Sequence, residues 1–262
     1  MLSWAERHLE RVEDAAEDFM RQKPYITSCD ANMERRLPDA LEYTFCVWLR
    51  QPVVEAPKDV PFLIGDVLHA MRVSLDYLAV HVVTKAVSGT DESKVAFPII
   101  RDPADWGSAK GKLPGVSGRL FDAFKSVQPC FGSYSARPEE DPIAILDRLE
   151  QPHKHRRMLS ALPGVYEFIP SIVDGDPKDV LCLHVTLPTR PLGKKEKAEI
   201  ARYRIAAEGR PLEPKAYVQG KVRLFVCFDT EGPALGAPAI TLLKKMRDRI
   251  RDDIFPQFEP FL

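Results

Sequence analysis

The chain has 262 residues, of which 37 are Lys or Arg and 38 are Asp or Glu, so the formal net charge is −1. Hydrophobic residues make up 45% of the chain and charged residues 29%, which is typical of a globular protein. A charge this close to zero excludes a generic basic binder of nucleic acid or anionic membranes, because such binding would need a local patch. A chain of this length buries roughly 70–75% of the surface that its unfolded form exposes, so folding requires neither disulfides nor metals.

Cysteine usage and the N-terminus indicate the compartment. The five cysteines are odd in number, widely spaced and without a CxxC pair, which predicts reduced and mostly buried thiols in a cytosolic protein. The first residues carry acidic side chains and lack the basic and apolar regions of a signal peptide. The apolar run from Tyr77 to Val83 is interrupted by His81 and is far shorter than the roughly 18–20 residues of a membrane span. The sequence therefore predicts a cytoplasmic protein without a membrane segment.

Hydrophobic periodicity predicts a helix-rich part over residues 1–162 that contains a β-hairpin at 25–50. In chain order its elements are a helix at 3–21, strands at 25–36 and 41–50, a long helix at 62–87, an extended stretch at 95–100, and short helices near 103–110 and 117–127. The long helix is the strongest pattern, and Ser88-Gly89 closes it. A further helix begins at Asp141-Pro142, is interrupted or restarted at Pro152, and continues to Pro163.

From Pro163 onward the hydrophobic period changes to two, which predicts a strand-rich part over 163–230. Four strands are predicted, at 165–173, 180–187, 197–206 and 220–228. Their short connections predict an antiparallel meander, and a C-terminal helix follows at 238–255. The fold class is therefore α+β, a helical bundle packed with an antiparallel β-meander and a C-terminal helix. Because no Ser- or Gly-rich linker separates the parts, residues 1–262 are expected to form a single unit.

The long helix carries a polar stripe beside its apolar face. At about 100° per residue, the stripe contains Asp66, His69, Arg72 and Asp76. A histidine with carboxylates at helical spacing could form half of a metal site or an acid–base pair, and Arg72 could hold a phosphate or orient Asp76. The structural alternative is that these mixed charges neutralise one another and tie the helix to a neighbour through buried salt bridges.

A second polar cluster covers residues 148–157, where seven of ten residues are charged or carry an imidazole. It includes Arg148, His153, His155 and Arg156, at a helix restart whose free backbone amides favour an anion. A neutral histidine beside cations has a lowered pKa and can accept a proton, while the cations hold a scissile phosphate. The alternative, a solvated helix face, predicts charges spread over the whole helix, and both interpretations stay open.

The run IGDVLHAMRVSLDYLAVHVV resembles the GDxLHxLRxxLDxLxxxL helix of a widespread family of uncharacterised bacterial proteins. Other positions that match that family are Phe97-Pro98-Ile99, Gln128-Pro129, and Leu146, Leu149, Lys154, His155 and Arg156 of an LxxLxxxDKHR helix. The chain departs from the pattern at Pro152 and at His153, where the family has Asp. The resemblance covers nearly the whole chain and implies a shared fold and site, with no established activity.

The second cluster also resembles the HEPN helical domains, many of which are metal-independent ribonucleases with an Arg-x4–6-His motif. Arg148 with His153 or His155 fits that spacing. The resemblance implies that one of these histidines moves protons at the ribose 2′-hydroxyl and the leaving oxygen, and that Arg148 or Arg156 stabilises the phosphorane charge. It further implies RNA as the substrate and a homodimer, because the composite site of HEPN ribonucleases usually forms across a dimer.

Three hypotheses for the function follow. The first is a HEPN-like RNA-cleaving or RNA-binding protein without metal, and the second is a non-enzymatic protein whose polar cluster is a buried lock between helices, with Asp76 paired to Arg156. The third is a metal-dependent hydrolase with ligands from both clusters. Because His153 and His155 point about 200° apart on a helix, a poor geometry for one ion, no metal is expected. The sequence has no Walker loop and no GxGxxG motif, so no cofactor is expected either. The candidate site residues are His155, Arg156, Arg148, His153, His69, Asp76 and Arg72.

Overall fold

The computed structural model shows the α+β class that the sequence predicts. It describes residues 2–22, 26–36, 40–50, 57, 59–154, 161–172, 180–185, 197–208, 218–228, 234 and 236–262. Helices and antiparallel strands occupy separate stretches of these residues. Among the described helices, none combines the length and the apolar composition needed to cross a membrane.

The α-helices lie close to their predicted positions. They are α1 (Leu2–Arg21), α2 (Val60–Ala86), α3 (Ala109–Lys112), α4 (Gly118–Ser126), α5 (Pro142–Lys154), α6 (Ala239–Asp248) and α7 (Phe255–Phe258). Short 3-10 helices cover Glu92–Lys94, Pro103–Ser108, Pro138–Glu140 and Glu259–Phe261. A π-helix, Arg249–Ile254, joins α6 to α7. The predicted C-terminal helix is therefore confirmed, with a wider turn in its middle.

Helix α5 begins as the sequence predicts and ends earlier. Asp141 Oδ1 accepts a hydrogen bond from the Ile143 N–H at 2.9 Å, which caps the helix ahead of Pro142. The helix continues through Pro152 to Lys154, because a proline in the last turn removes a single backbone hydrogen bond. Continuation to Pro163 is wrong at its end, since a strand already begins at Ala161. Residues 155–160 lie outside the described part of the chain.

The strands are all present, but their neighbours differ from the predicted meander. They are β1 (Ile26–Arg36), β2 (Ala40–Arg50), β3 (Ala161–Ile172), β4 (Val180–Val185), β5 (Lys197–Glu208) and β6 (Val218–Phe228). One antiparallel sheet has the order β1-β2-β5-β4, and β3 pairs with β6 in a second. A meander of the last four strands is not confirmed, because among them only β4 and β5 are both consecutive and paired. Alternation fixes which side chains share a face, and it does not select the neighbouring strand.

Five consecutive segments of the chain alternate between two compact units. The first unit consists of Met1–Ala15, Lys58–Ser160 and Thr230–Leu262, and the second of Ala16–Pro57 and Ala161–Asp229. The first unit therefore contains most of the helical residues and the second contains both sheets. That all 262 residues form a single unit stays a prediction.

Each unit has a buried apolar core. In the first, α2 packs against α5 and α6, and the rings of Phe97, Phe124 and Phe258 lie with centroids 4.7 to 6.3 Å apart. The buried residues of α2 include Ile64, Leu68, Met71, Leu75, Ala79 and Val82, which is the apolar face that the periodicity predicts. The buried residues of the second unit include Phe19, Cys46, Leu49, Ile200, Ala201, Val226, Cys227 and Phe228.

Candidate functional site between helices α2 and α5

Two polar contacts join α2 to α5, one helical turn apart. His69 Nδ1 lies 3.4 Å from Glu150 Oε1, and Arg72 Nη1 lies 4.0 Å from Asp147 Oδ1. The residue numbers rise along α2 as they fall along α5, so the two helices run antiparallel at this junction. Three residues of α-helix rise about 4.5 Å, which is the spacing of the two contacts. We call them the His69–Glu150 rung and the Arg72–Asp147 rung.

Arg72 and Asp76 bind the backbone of Phe97, an arrangement that we call the Phe97 clamp. Arg72 donates to both carboxylate oxygens of Asp76, at 2.9 and 3.2 Å, and to the Phe97 carbonyl at 2.8 Å. Asp76 Oδ1 in turn accepts from the Phe97 N–H at 2.9 Å. Both backbone polar groups of this buried phenylalanine are therefore satisfied by one pair of side chains on α2.

Ile100, three residues further along the extended segment, has one side-chain partner and one backbone partner. Gln128 Oε1 accepts from the Ile100 N–H at 2.9 Å, and Gln128 Nε2 donates to the Phe124 carbonyl at 2.8 Å. The Cys130 N–H donates to the Ile100 carbonyl at 3.4 Å. Gln128 is fully buried. Side chains and a loop thus supply hydrogen bonds to residues 97 and 100 that a neighbouring strand would otherwise supply.

The His69–Glu150 rung combines an exposed imidazole with a buried carboxylate. The His69 side chain is 58% exposed and the Glu150 side chain 2% exposed. A carboxylate that is buried to this degree needs hydrogen-bond donors, and a ring N–H is one. A neutral imidazole that donates its Nδ1 proton to Glu150 retains Nε2 as an acceptor, so the rung can take up a proton.

Beyond the Arg72–Asp147 rung, an arginine–carboxylate network continues to Arg148. Asp147 Oδ2 accepts from Arg101 Nη2 at 2.9 Å. Glu139 Oε2 lies 3.8 Å from Arg101 Nη1 and accepts from Arg148 Nη2 at 2.6 Å. Arg148 precedes Glu150 by two residues, about 200° around the helix. Arg148 therefore lies on a different side of α5 from the His69–Glu150 rung, and its partner among the described residues is Glu139.

The structure describes the side chains of four of the seven predicted site residues. These four are His69, Arg72, Asp76 and Arg148. His155 and Arg156 lie outside the described residues, so the predicted pair of Asp76 with Arg156 stays a prediction. The described partners of Asp76 are Arg72 and Phe97.

The backbone of residue 153 belongs to α5. It follows Glu150 by three residues, as Asp66 precedes His69 by three on α2. The antiparallel spacing of the two rungs therefore puts position 153 level with Asp66, which is exposed.

The sequence prediction missed the partners on α5 and in the loops. Asp147 and Glu150 are three residues apart, as are His69 and Arg72 on α2, and this matched spacing is a signal that was available. Arg101 and Glu139 lie in an irregular segment and on a three-residue 3-10 helix. Such segments have no periodicity from which partners can be inferred.

A buried ion pair ties the start of α5 to the π-helix. Arg249 Nη2 lies 3.3 Å from Asp141 Oδ2, and the two side chains are 7% and 0% exposed. Arg249 Nη2 also donates to the Val127 carbonyl at 3.3 Å. Burial raises the pKa of the Asp141 carboxyl above its ordinary value of 3.8, and the charge of Arg249 opposes the rise. The pair therefore connects the start of α5 to the C-terminal helix.

A cleft with a volume of about 720 Å³ opens beside the arginine–carboxylate network. Arg101 and Glu139 line it, together with Asp102, Asp105 and Ser108. In the part of the chain that the structure describes, no group of three or more His, Cys, Asp or Glu side chains is arranged to hold a metal ion.

In comparisons with protein-family models, curated proteins and solved structures, nothing matches this chain significantly. The resemblances to the bacterial family and to the HEPN domains thus stay predictions.

Proposed function

We propose that the His69–Glu150 rung is the acid–base element of a metal-independent RNA-cleaving site. The observation that carries the proposal is an imidazole, 58% exposed, whose Nδ1 meets a carboxylate that is 2% exposed. In many enzymes a histidine accepts the proton while a neighbouring carboxylate holds its ring in the correct orientation. Histidine is also the side chain that changes charge nearest to neutral pH.

In the proposed reaction the ribose 2′-hydroxyl attacks the adjacent phosphorus. His69 Nε2 takes the hydroxyl proton, the 2′-oxygen forms the new bond to phosphorus, and the bond to the 5′-oxygen of the next nucleotide breaks. That oxygen leaves with a proton from a second acid, which gives a 2′,3′-cyclic phosphate and a 5′-hydroxyl. Glu150 holds the imidazole and stabilises the imidazolium that forms. His153, one turn beyond Glu150 on α5, is the candidate second acid.

Several parts of the proposal rest on the sequence rather than on the rung. RNA as the substrate and a homodimer rest on the resemblance to the HEPN domains, and the bundle form of the helical unit rests on hydrophobic periodicity. Cysteine usage supports a cytoplasmic location. Within the described residues Cys130 is a buried free thiol, and burial raises its pKa.

A polar lock between helices is the second candidate function, and the Phe97 clamp favours it. Arg72 is buried, and its guanidinium contacts a carboxylate on its own helix, a second on α5 and a backbone carbonyl. Arg72 Nε and Nη2 are thus hydrogen-bonded within the fold, and Nη1 lies buried beside Asp147 at ion-pair distance. If the lock also includes the His69–Glu150 rung, removing the imidazole will lower stability.

The deciding experiment measures cleavage of a mixed RNA pool with and without EDTA, alongside thermal melts. The variants are His69→Ala, Glu150→Gln and the matched control His81→Ala, an exposed histidine further along α2. We expect cleavage that resists EDTA and falls on the order of 10²–10⁴-fold in His69→Ala, because acid–base catalysis contributes that much. His81→Ala should cleave as the wild type does, and both alanine variants should melt normally.

Other outcomes overturn the proposal. A correctly folded wild type that does not cleave RNA, or a His69→Ala variant that cleaves as well as the wild type, removes the catalytic role of the rung. Absent cleavage together with a His69→Ala melt several degrees lower supports the lock. Cleavage that EDTA abolishes supports the metal-dependent hydrolase.

A further inference from the structure

Two arginines from different segments converge on one carboxylate oxygen. Glu139 Oε2 accepts from Arg148 Nη2 at 2.6 Å and lies 3.8 Å from Arg101 Nη1. Arg101 follows the buried segment 97–100, and Arg148 lies on α5. Two guanidinium groups beside one oxygen bring several N–H donors and two positive charges to one point, and guanidinium is the group that proteins favour for binding phosphate and carboxylate.

Arg101 is held by a second carboxylate besides Glu139. Asp147 binds Arg101 Nη2 at 2.9 Å, and the Asp147 side chain is largely buried. Glu139, in contrast, is 54% exposed and lies on the three-residue 3-10 helix Pro138–Glu140. Exposed ion pairs contribute little to the stability of a fold, so releasing Glu139 costs little.

The cleft is lined by Arg101 and by Glu139, which Arg148 contacts, and it is large enough for a small molecule. Arg101 and Glu139 lie on its wall, and its volume of about 720 Å³ is in the range of ligand pockets. Asp102 and Asp105 on the same wall disfavour a ligand with several negative charges. Carboxylates do accept hydrogen bonds from hydroxyl groups, so the wall fits one phosphate attached to a hydroxyl-bearing group.

We propose that Arg101 and Arg148 bind the phosphate of a phosphate monoester, such as a mononucleotide, and that Glu139 occupies this subsite until the ligand displaces it. The monoester's hydroxyl groups face Asp102 and Asp105 in the cleft. A phosphate offers several oxygens to the two guanidinium groups, whereas Glu139 offers one to both. Phosphate binding does not depend on proton transfer at His69, so it is tested independently of the proposed RNA cleavage.

Isothermal titration with inorganic phosphate, at matched ionic strength, tests the subsite through a gain of binding. We expect saturable binding by the wild type that is about tenfold tighter in Glu139→Gln, because the competing carboxylate is removed. The matched control is Glu140→Gln, on the same 3-10 helix, where Glu140 pairs with Arg137 at 3.1 Å. That variant should bind as the wild type does. A Glu139→Gln variant that binds no more tightly than the wild type overturns the proposal, and misfolding cannot imitate the expected gain.

Removing an arginine tests whether the binding is local. Arg148→Ala should weaken phosphate binding at least about tenfold, whereas Arg137→Ala, which removes an equally charged exposed arginine, should not. Equal losses in both variants would show a general charge effect and overturn the site.

Adenosine 5′-monophosphate and adenosine distinguish the parts of the ligand. Tighter binding of the monophosphate than of inorganic phosphate, with no binding of adenosine, supports both the arginine pair and the cleft. Equal binding of the monophosphate and inorganic phosphate overturns the assignment of the cleft.

Discussion

The Phe97 clamp and the His69–Glu150 rung lie one turn apart on the same helix, and they differ in what remains available to solvent. In the clamp, the arginine is buried, and its Nε and Nη2 donate to the Asp76 carboxylate and to a backbone carbonyl. In the rung, the carboxylate is buried and the imidazole is exposed. The difference shows that polar residues of one stripe divide by burial into a structural group and a chemically accessible one.

The largest expected effect is on the clamp. Arg72→Leu removes the hydrogen bonds that the arginine donates to Asp76 and to the buried Phe97 carbonyl, so we expect the free energy of unfolding to fall by about 3 kcal/mol. Urea denaturation measures it, with Arg137→Leu as the exposed control. If Arg72→Leu and Arg137→Leu lose the same free energy of unfolding, the clamp contributes no more to stability than an exposed arginine does.

Gln128 extends the comparison to the other end of the buried segment. Gln128→Leu keeps the volume and leaves the Ile100 N–H unpaired, for an expected loss of about 2 kcal/mol. Gln257→Leu, at an exposed position, should change stability by less than about 0.5 kcal/mol in the same denaturation measurement. A neutral Gln128→Leu would show that the segment does not need its side-chain partners.

Asp141 adds a case in which burial raises a pKa although an arginine lies beside the carboxyl. Its native carboxyl binds a proton more readily than the unfolded one, so its contribution to stability increases as the pH falls toward 3.8 and is lost as the pH rises through the native pKa. In urea denaturation at several pH values, the stability of the wild type relative to Asp141→Asn should therefore rise on acidification.

A stability difference that instead falls on acidification would mean that the charge of Arg249 lowers the pKa of Asp141 by more than burial raises it.

The smallest effects are expected at the exposed members of the network. His69→Ala and Arg148→Ala should each lower the free energy of unfolding by less than about 1 kcal/mol. Arg148 pairs with the exposed Glu139, and such pairs contribute little. Buried Glu150 keeps a further interaction when the exposed imidazole of His69 is removed. Thermal melts of these variants beside Arg72→Leu give the comparison directly. A loss at His69 as large as that at Arg72 would place the imidazole in the lock.

The sequence predicts which polar residues share one side of α2 better than it predicts which residues of other segments contact them. Helical spacing groups His69 with Arg72 and Asp76, and the structure keeps them on one side of the helix. Their partners come from far along the chain, since Glu150 lies 81 residues from His69 and Phe97 lies 25 residues from Arg72. Periodicity is a local property, and it contains no information on which segments meet.

The same limit applies to the sheets. Alternation predicts strands β3 to β6 close to their observed bounds, because every second side chain faces a core. It does not predict that β5 pairs with β2 or β3 with β6, because a strand of a given pattern can pair with several neighbours. The π-helix is also unpredicted, since Arg249–Ile254 has no signal that separates it from an ordinary helical turn.

The π-helix changes the phase of the C-terminal helix. Arg249 and Phe258 are nine residues apart, so in an uninterrupted α-helix they would lie about 180° apart around the axis. Both are nevertheless buried, one beside Asp141 and the other against Phe124. The wider turn between them rotates the later residues relative to the earlier ones. One C-terminal helix therefore contacts Asp141 through Arg249 and Phe124 through Phe258, because the π-helix changes the direction in which the later side chains point.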